Sequence, residues 1–159
     1  MATIAHIVYQ PTSQEYEEKR RDYLRVPIPQ AMLIANHGIE GDQKAGHHPD
    51  RQLNLISTEW LAVQRTKGYR TAPGQWGEQI TLTGVAVETL PPGTRLRLGA
   101  EACIEITKPR TGCDRLTAAQ GQSIEGVGPI GALAKVISSG VIHVGDPVTV
   151  LAVEPASSG

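Results

Sequence analysis

The stretch "KPRTGCDRL" places Cys113 among basic residues. Lys108, Arg110 and Arg115 would each favour the thiolate over the thiol, and a helix beginning at Asp114 would add its dipole. Asp114 itself works partly against this effect, as a like charge beside the sulfur. A thiolate is the form of cysteine that attacks sulfur, carries a persulfide or binds a soft metal. Cys113 is therefore the first candidate for chemistry, and the alternative is a solvent-facing thiol without a function.

The loop "NHGIEGDQKAGHHPDRQ" combines glycines with acidic, basic and imidazole side chains. Backbone amides beside glycine can approach an anion closely, so a phosphate cradle with Lys44 and Arg51 is one interpretation. The spacing of a P-loop is absent. A zinc site at His47 and His48 is disfavoured, because adjacent residues on a strand point to opposite faces. The other interpretation is a polar surface turn in which Asp42 caps backbone amides.

The stretch "PGQWGEQITLTG" contains a third set of polar candidates. Glu78 and Gln79 would lie at a pocket rim and hydrogen-bond a heterocycle, and Trp76 would cover one end of the fold. Cys103 lies in an alternating apolar strand, so we predict that it is structural filler.

The bulk composition narrows the class of protein. The chain has 159 residues, a formal net charge of −1 and no phenylalanine, so valine, isoleucine and leucine must build the core. This charge excludes a global field for nucleic acid or for an acidic membrane surface. We predict a single domain over residues 1–159, with a core at about 30–152 and a flexible tail at 153–159. No secretion signal or membrane-spanning run of ~20 apolar residues is visible, which predicts a cytoplasmic protein.

Short segments rich in branched residues, separated by glycine and proline, predict a mainly β fold. "TIAHIVY", "LNLIS" and "EQITLTG" are typical of strands, "VAVETL" alternates in the same way, and "TRLRLGAEACIEIT" predicts a hairpin. Two more strands are expected near the end, with breaks at 139–140 and 145–147. A helix is expected from Ser57 or Thr58 to Gly68, and a short one near 114–120. The charged segment after Pro11 is predicted to be an exposed loop or lid.

These elements together favour a closed or half-closed β-barrel with one or two short helices, and disfavour a doubly wound sheet. The segments "GIEGDQKAG", "RQLNLIS", "PGQWGEQITLTGVAVETLPPGTRLRLG", "ACIEITKPRTGCDRL" and "GVIHVGDPVTVL" run from about Gly38 to Leu151. Their order resembles the MOSC domain, named for the C-terminal domain of molybdenum-cofactor sulfurases. The resemblance implies a barrel-like MOSC fold similar to the pyruvate-kinase β-barrel, in a stand-alone member of the family.

The resemblance also implies a cofactor. Stand-alone MOSC proteins are thought to bind the molybdenum cofactor, a pterin with a dithiolene and a phosphate that holds an oxo-molybdenum centre. Some members reduce N-hydroxylated compounds with electrons from redox partners, and in others the cysteine is proposed to carry sulfur. Cys113 matches the family cysteine that supplies a thiolate to molybdenum, while Asp42 and Arg51 match an acidic and a basic position. The family often has proline where Gly112 stands and asparagine where Gln79 stands.

The predicted site follows from both lines of reasoning. Cys113 and Asp42 are the predicted catalytic residues, with Cys113 as the metal ligand. The predicted cofactor-binding residues are Lys44, Arg51, Glu78, Gln79, Arg110 and Thr111. No pyridoxal phosphate is expected in this chain.

The leading hypothesis is a small molybdenum-dependent oxidoreductase that reduces N-oxygenated small molecules. An external protein would donate electrons, because the chain has no flavin, haem or iron–sulfur motif. The alternatives are a non-catalytic carrier of sulfur or cofactor that uses a Cys113 persulfide, and a structural or interaction barrel without a ligand. No nucleic acid or membrane partner is expected, and a homodimer is compatible with this hypothesis.

The thiolate hypothesis predicts the pH dependence of alkylation. Iodoacetamide should label Cys113 with a rate midpoint below about 8.5, the ordinary pKa of a free cysteine, because the neighbouring cations favour the thiolate. The measurement is the labelling rate at position 113 across pH, with Cys113→Ser as the background. A midpoint at or above the ordinary value would exclude activation.

Overall fold

The computed structural model of the chain describes residues 1–11, 25–112 and 114–153. Cys113, most of the charged segment after Pro11 and the end of the chain therefore lie outside the described residues. The strands are β1 (Thr3–Tyr9), β2 (Val26–Pro27), β3 (Gln30–Ile34), β4 (Gly38–Ile39), β5 (Leu53–Ser57), β6 (Ile80–Thr83), β7 (Thr94–Leu98), β8 (Ala102–Pro109), β9 (Ala132–Ser138), β10 (Gly140–His143) and β11 (Val148–Val153). The helices are α1 (Thr58–Thr66) and α2 (Asp114–Gln120).

The strands form one large sheet and one small sheet. The large sheet has eight strands in the order β11-β7-β8-β9-β5-β6-β1-β2, and the small sheet has the order β10-β3-β4. Neighbouring strands are antiparallel except β5 and β6, which are parallel and are connected through α1. The prediction of a mainly β fold is therefore confirmed, and no helix in the described part of the chain is long and apolar enough to cross a membrane.

The large sheet curls until its two ends approach each other. The amide of Ile4 on β1 donates to the carbonyl of Asp146 at 3.0 Å, and the amide of Val148 on β11 donates to the carbonyl of Ala2 at 2.9 Å. An isolated bridge pairs Thr3 with Pro147 at the same place. We call this contact the seam. It gives the sheet the form of a half-closed barrel, as the sequence predicts.

Two separate apolar clusters fill the fold. The larger lies between the sheets and consists of branched aliphatic residues and alanines, among them Ile4, Leu55, Ile80 and Leu96. The smaller lies under the two helices and contains Ile56, Leu61, Trp76, Leu116 and Ile130. Trp76 is fully buried, with its ring 5.0 Å from that of Trp60 and 5.4 Å from that of Tyr69. Trp76 therefore holds the helical layer on the sheet.

Several local signals act as the sequence predicts. Ser57 caps α1 by accepting a hydrogen bond from the amide of Trp60 at 3.1 Å, and Gly68 follows the helix end with a φ of 87°. The second helix occupies the predicted residues, and β7 and β8 form the predicted hairpin, with Leu98 opposite Ala102. Cys103 lies half-buried on β8, where burial raises the pKa of its thiol.

Two predictions about strands are wrong. The segment "VAVETL" contains a single 3-10 turn at Val87–Thr89, because Gly84 at a φ of 85° and the two prolines after Leu90 bound it as a connection rather than a strand. The end of the chain has three strands rather than two, since β10 leaves the large sheet and pairs with β3. The prediction missed this change of sheet because β10 has only four residues.

Two glycines provide a matched test of backbone packing. A Cβ on Gly131 would lie 1.8 Å from the carbonyl oxygen of Leu55, at a φ of 71°, whereas a Cβ on Gly126 would meet nothing within 4 Å, at a φ of 82°. We expect Gly126→Ala to lower the free energy of unfolding by about 1–2 kcal/mol, the usual cost of a left-handed alanine. Gly131→Ala should cost roughly 4 kcal/mol or more, because the backbone itself must move. Urea unfolding of both variants measures this, and equal losses would contradict the packing at Gly131.

Candidate functional site

A cavity of about 650 Å³ opens between the loop that follows β4 and the end of β8. This volume lies within the range of ~300–1,000 Å³ that is usual for small-molecule sites. Its lining residues are Gln43, Lys44, His47, His48, Arg51, Asn54, Lys108, Pro109, Arg110, Thr111, Gly112 and Leu133. We call this space the basic cavity, because its lining includes lysine and arginine side chains but no aspartate or glutamate among the described residues.

The structure brings four of the predicted site residues to this cavity. Lys44 and Arg51 lie on the glycine-rich loop, and Arg110 and Thr111 lie on the segment that leads from β8 to α2. Two separate parts of the chain therefore supply the positive charge. Cys113 itself lies outside the described residues, but the segment that ends at Gly112 forms one wall of the cavity.

Asp42, Glu78 and Gln79 do not line the cavity but lie behind it. The exposed fraction is 3% for Asp42, 0% for Glu78 and 1% for Gln79. The sequence predicts an accessible pocket rim for Glu78 and Gln79, and for Asp42 it leaves open a phosphate cradle or a turn in which Asp42 caps backbone amides. The structure places all three under the cavity, where they bind the protein's own backbone and side chains.

The side-chain amide of Gln79 connects the glycine-rich loop to strand β5. Its Nε2 donates to Oδ2 of Asp42, while its Oε1 accepts a 2.7 Å hydrogen bond from the amide of Asn54. Asp42 uses its other oxygen to accept from the amide of Gln10 at 3.0 Å. Asn54 lines the cavity and donates from its side chain to the carbonyl of Gly77 at 3.1 Å. The loop with Asp42, strand β5 and the segment before β6 are thus joined by one buried polar network.

Glu78 organises the turn in which it lies. Its two carboxylate oxygens accept 3.0 Å hydrogen bonds from the amides of Gly74 and Trp76. Burial raises the pKa of Glu78 above its ordinary value of 4.5, and the backbone amides and the charge of Arg110 oppose that rise. Because both oxygens already have partners, this carboxylate is a structural acceptor.

Arg110 serves both the cavity and the core beneath it. Its guanidinium donates to the carbonyl of Trp76, and its exposed fraction is 8%. Its charge also attracts the buried carboxylate of Glu78. Glu78 therefore balances part of the charge of Arg110. Arg51 and Lys108, by contrast, form no ion pair with a carboxylate in the described part of the chain.

Two lining residues differ from the sequence reasoning. His47 and His48 both line the basic cavity, although neighbouring residues on a strand would point apart. They lie in an irregular loop rather than a strand. The Nε2 atom of His47 lies 2.9 Å from the carbonyl oxygen of Gln43. A carbonyl only accepts, so a hydrogen bond here uses the ring form that is protonated at Nε2. No group of three or more His, Cys, Asp or Glu side chains in the described ranges is placed to hold a metal ion.

Gly112 lies in close contact with two isoleucine side chains. A Cβ at this position would lie 2.4 Å from Cδ1 of Ile124 and 3.3 Å from Cδ1 of Ile130.

The fold and the site together define the class: a barrel-like β protein with an open, positively charged cavity. Among solved structures, YiiM from Geobacillus stearothermophilus matches with a TM-score of 0.72 and 21% identity, over 96% of this chain and 76% of that one. YiiM from Escherichia coli matches with a TM-score of 0.68 and 22% identity, over 94% of this chain and 70% of that one. The YUAD protein from Bacillus subtilis matches with a TM-score of 0.70 and 17% identity, over 93% of this chain and 94% of that one.

The family model of the MOSC domain matches residues 42–149. The chain belongs to the MOSC family. A comparison with curated protein sequences gives no significant match.

The network around Gln79 predicts a double-mutant rescue. Gln79→Glu should cost roughly 3–5 kcal/mol at neutral pH, because a second carboxylate would face Asp42 without water. Asp42→Asn should cost about 1–3 kcal/mol, since an amide has one oxygen for two donors. In the double variant, the new amide at position 42 can donate to the new carboxylate at position 79. That carboxylate can still accept from Asn54.

The free energies of unfolding of the two single variants and the double variant form a thermodynamic cycle. We expect the double variant to be more stable than the sum of the single effects by about 1–3 kcal/mol. Additive losses would show that Asp42 and Gln79 do not interact directly.

Proposed function

We propose that this protein binds the molybdenum cofactor in the basic cavity and reduces N-hydroxylated compounds. The observation that carries the proposal is the composition of the cavity in a chain of the MOSC family. Lysine, arginine and histidine from two chain segments line it without a carboxylate among the described residues. Such a lining suits a ligand with a phosphate group, because charge-assisted hydrogen bonds to phosphate are strong.

The chemistry of the lining residues fits the cofactor. Arg51, Lys108 and Lys44 would hold the phosphate, and Asn54 and Thr111 can hydrogen-bond the polar edges of the pterin ring. Arg110 is less suited to neutralise the phosphate alone, because its charge also faces Glu78. Leu133 and Pro109 supply the apolar part of the lining, on which the ring system can lie.

Glu78 and Gln79 do not form the pocket rim that the sequence predicts, and Asp42 accepts from a backbone amide, as in the capping interpretation. Under the proposal they position the cavity and do not touch the cofactor, because their polar atoms already bind one another and the backbone. Cys113 follows Gly112 in the chain and remains the proposed ligand of molybdenum, since a thiolate suits this soft site.

The proposed reaction removes oxygen from a hydroxylated nitrogen. The N–O bond breaks, two electrons and two protons are taken up, and the oxygen leaves as water. The cofactor, when bound, supplies the two-electron oxygen-transfer chemistry. The protein's own groups orient the cofactor and balance its charge. An external protein would deliver the electrons, and we place the reaction in the cytoplasm.

Cofactor retention tests the proposal. The full chain is produced in a host that makes the cofactor, and molybdenum and the fluorescence of the oxidised pterin are measured after extensive dialysis. We expect Arg51→Ala and Lys108→Ala each to weaken retention about tenfold, the usual effect of losing a charge-assisted hydrogen bond. Lys67→Ala, an exposed lysine at the end of α1, should retain the cofactor like the wild type.

Cys113→Ser separates the parts of the proposal. It should lose reduction of an amidoxime with an artificial electron donor while still binding pterin through the basic cavity. A wild-type protein that holds cofactor but never reduces an N-hydroxylated compound would favour the carrier. Absence of molybdenum and pterin from the wild type and all variants would overturn cofactor binding.

A further inference from the structure

Two polar side chains that line the basic cavity are buried. Asn54 and Arg110 each have an exposed fraction of 8%, whereas Arg51, Lys108 and the two histidines of the lining are exposed. Asn54 and Arg110 therefore form the polar floor of the cavity, and the exposed cations form its rim. We call Asn54 and Arg110 the floor pair.

One turn of the chain holds both members of the floor pair. Arg110 donates from Nη1 to the carbonyl of Trp76, and Asn54 donates from Nδ2 to the carbonyl of Gly77 at 3.1 Å. The side-chain oxygen of Asn54 and the other guanidinium nitrogens of Arg110 have no hydrogen-bond partner among the described residues. The floor pair therefore keeps one acceptor and several donors for a ligand, on side chains that are already held in place.

The direction of the Trp76 carbonyl follows from the turn around it. The amide of Gly77 donates to the carbonyl of Gly74 at 2.9 Å, and the two glycines have φ angles of 73° and 88°. Glycine adopts such angles without strain. A trans peptide unit is planar, so this hydrogen bond turns the Trp76 carbonyl to the opposite side, where Arg110 lies.

The carboxylate of Glu78 closes the same turn. Its two oxygens accept 3.0 Å hydrogen bonds from the amides of Gly74 and Trp76, and its exposed fraction is 0%. Glu78 also faces the positive charge of Arg110. Because one rigid group binds two amides of the turn, the loss of either bond would release the carbonyls that hold the floor pair.

We propose that Glu78 is a positioning residue of the basic cavity, which acts on a bound ligand through Arg110 and Asn54. Glu78 fixes the turn, the turn fixes the floor pair, and the floor pair contacts the ligand. The neighbours Glu78 and Gln79 thus serve different parts of one cavity, since Gln79 holds the glycine-rich loop. The inference rests on the proposed function in taking the basic cavity as the ligand site, but it does not depend on molybdenum.

Binding of inorganic pyrophosphate to the full chain without cofactor tests the positioning role. Calorimetry measures the Kd of this probe, which carries the phosphate chemistry proposed for the cavity. Glu78→Asp keeps the charge but shortens the side chain by one methylene, so the carboxylate can no longer reach both amides. We expect it to weaken pyrophosphate binding about tenfold, because the floor pair must then be ordered during binding.

A double-mutant cycle separates positioning from a general loss of structure. In an Arg110→Met background, Glu78→Asp should weaken pyrophosphate binding about threefold or less, since only Asn54 remains to be positioned. An equal loss in both backgrounds would overturn the proposal. The matched control is Gly68→Ala, at a φ of 87° with nothing within 4 Å of an added Cβ. It strains the backbone after α1, away from the cavity, and should leave the Kd unchanged.

The wild type offers a test that needs no substitution. In the ¹⁵N-labelled protein, the Nε–H signal of Arg110 should report a rigid side chain before any ligand is added, and it should shift when pyrophosphate binds. A guanidinium that becomes rigid only with pyrophosphate, or a signal that pyrophosphate leaves unchanged, would contradict the role of the floor pair.

The cofactor-loaded protein extends the test. Glu78→Asp should release molybdenum during dialysis about tenfold faster than the wild type, by the same loss of a preordered floor. An unchanged release rate would count against positioning. A wild type that contains no molybdenum would refute the proposed function alone, while the pyrophosphate titrations and the Arg110 signal would still decide whether Glu78 positions the floor pair.

Discussion

The hydrogen bonds of the Gln79 side chain are the constraint on which the basic cavity depends. Its side-chain amide group binds Asp42 on the glycine-rich loop and the backbone of Asn54 on β5. The backbone carbonyl of Gln79 also accepts a hydrogen bond from the amide of Val8 on β1. A buried donor or acceptor without a partner costs about 1–3 kcal/mol, so none of these segments can move alone. The loop that carries Lys44 and Arg51 is thereby attached to the sheet. This attachment holds the positive charges of the cavity near one another against their mutual repulsion.

The sequence predicts the fold best where local chemistry decides the structure. Strand β1 and helix α2 occupy the predicted residues, and the serine cap and following glycine bound α1 closely, because branched residues, caps and glycines act over a few positions. The errors occur where distant contacts decide. Val85 and Val87 alternate as in a strand, yet Gly84 and the two prolines after Leu90 make this segment a connection with a single 3-10 turn. Strand β10 joins the small sheet because β3 offers it an edge, which no local pattern records.

The candidate site shows the same division. The cations of the basic cavity could be predicted, because lysines and arginines beside glycines are a local signal. The roles of Glu78 and Gln79 could not, because their partners include Gly74, Asn54 and Asp42, whose positions only the folded chain defines. Strand geometry would direct His47 and His48 to opposite faces, whereas the irregular loop in which they lie brings both to the cavity.

The seam has a consequence for the order of folding. Ile4 and Val148 lie at opposite ends of the sequence, and their hydrogen bonds close a loop of most of the chain. Closing so long a loop carries a large entropic cost that is recovered only when the surrounding strands are paired, and such topologies fold slowly. During synthesis on the ribosome, β1 must wait for residues 145–148 to leave the exit tunnel. Until then its edge is open to pairing with another chain, so the protein is most exposed to aggregation before its last strand is made.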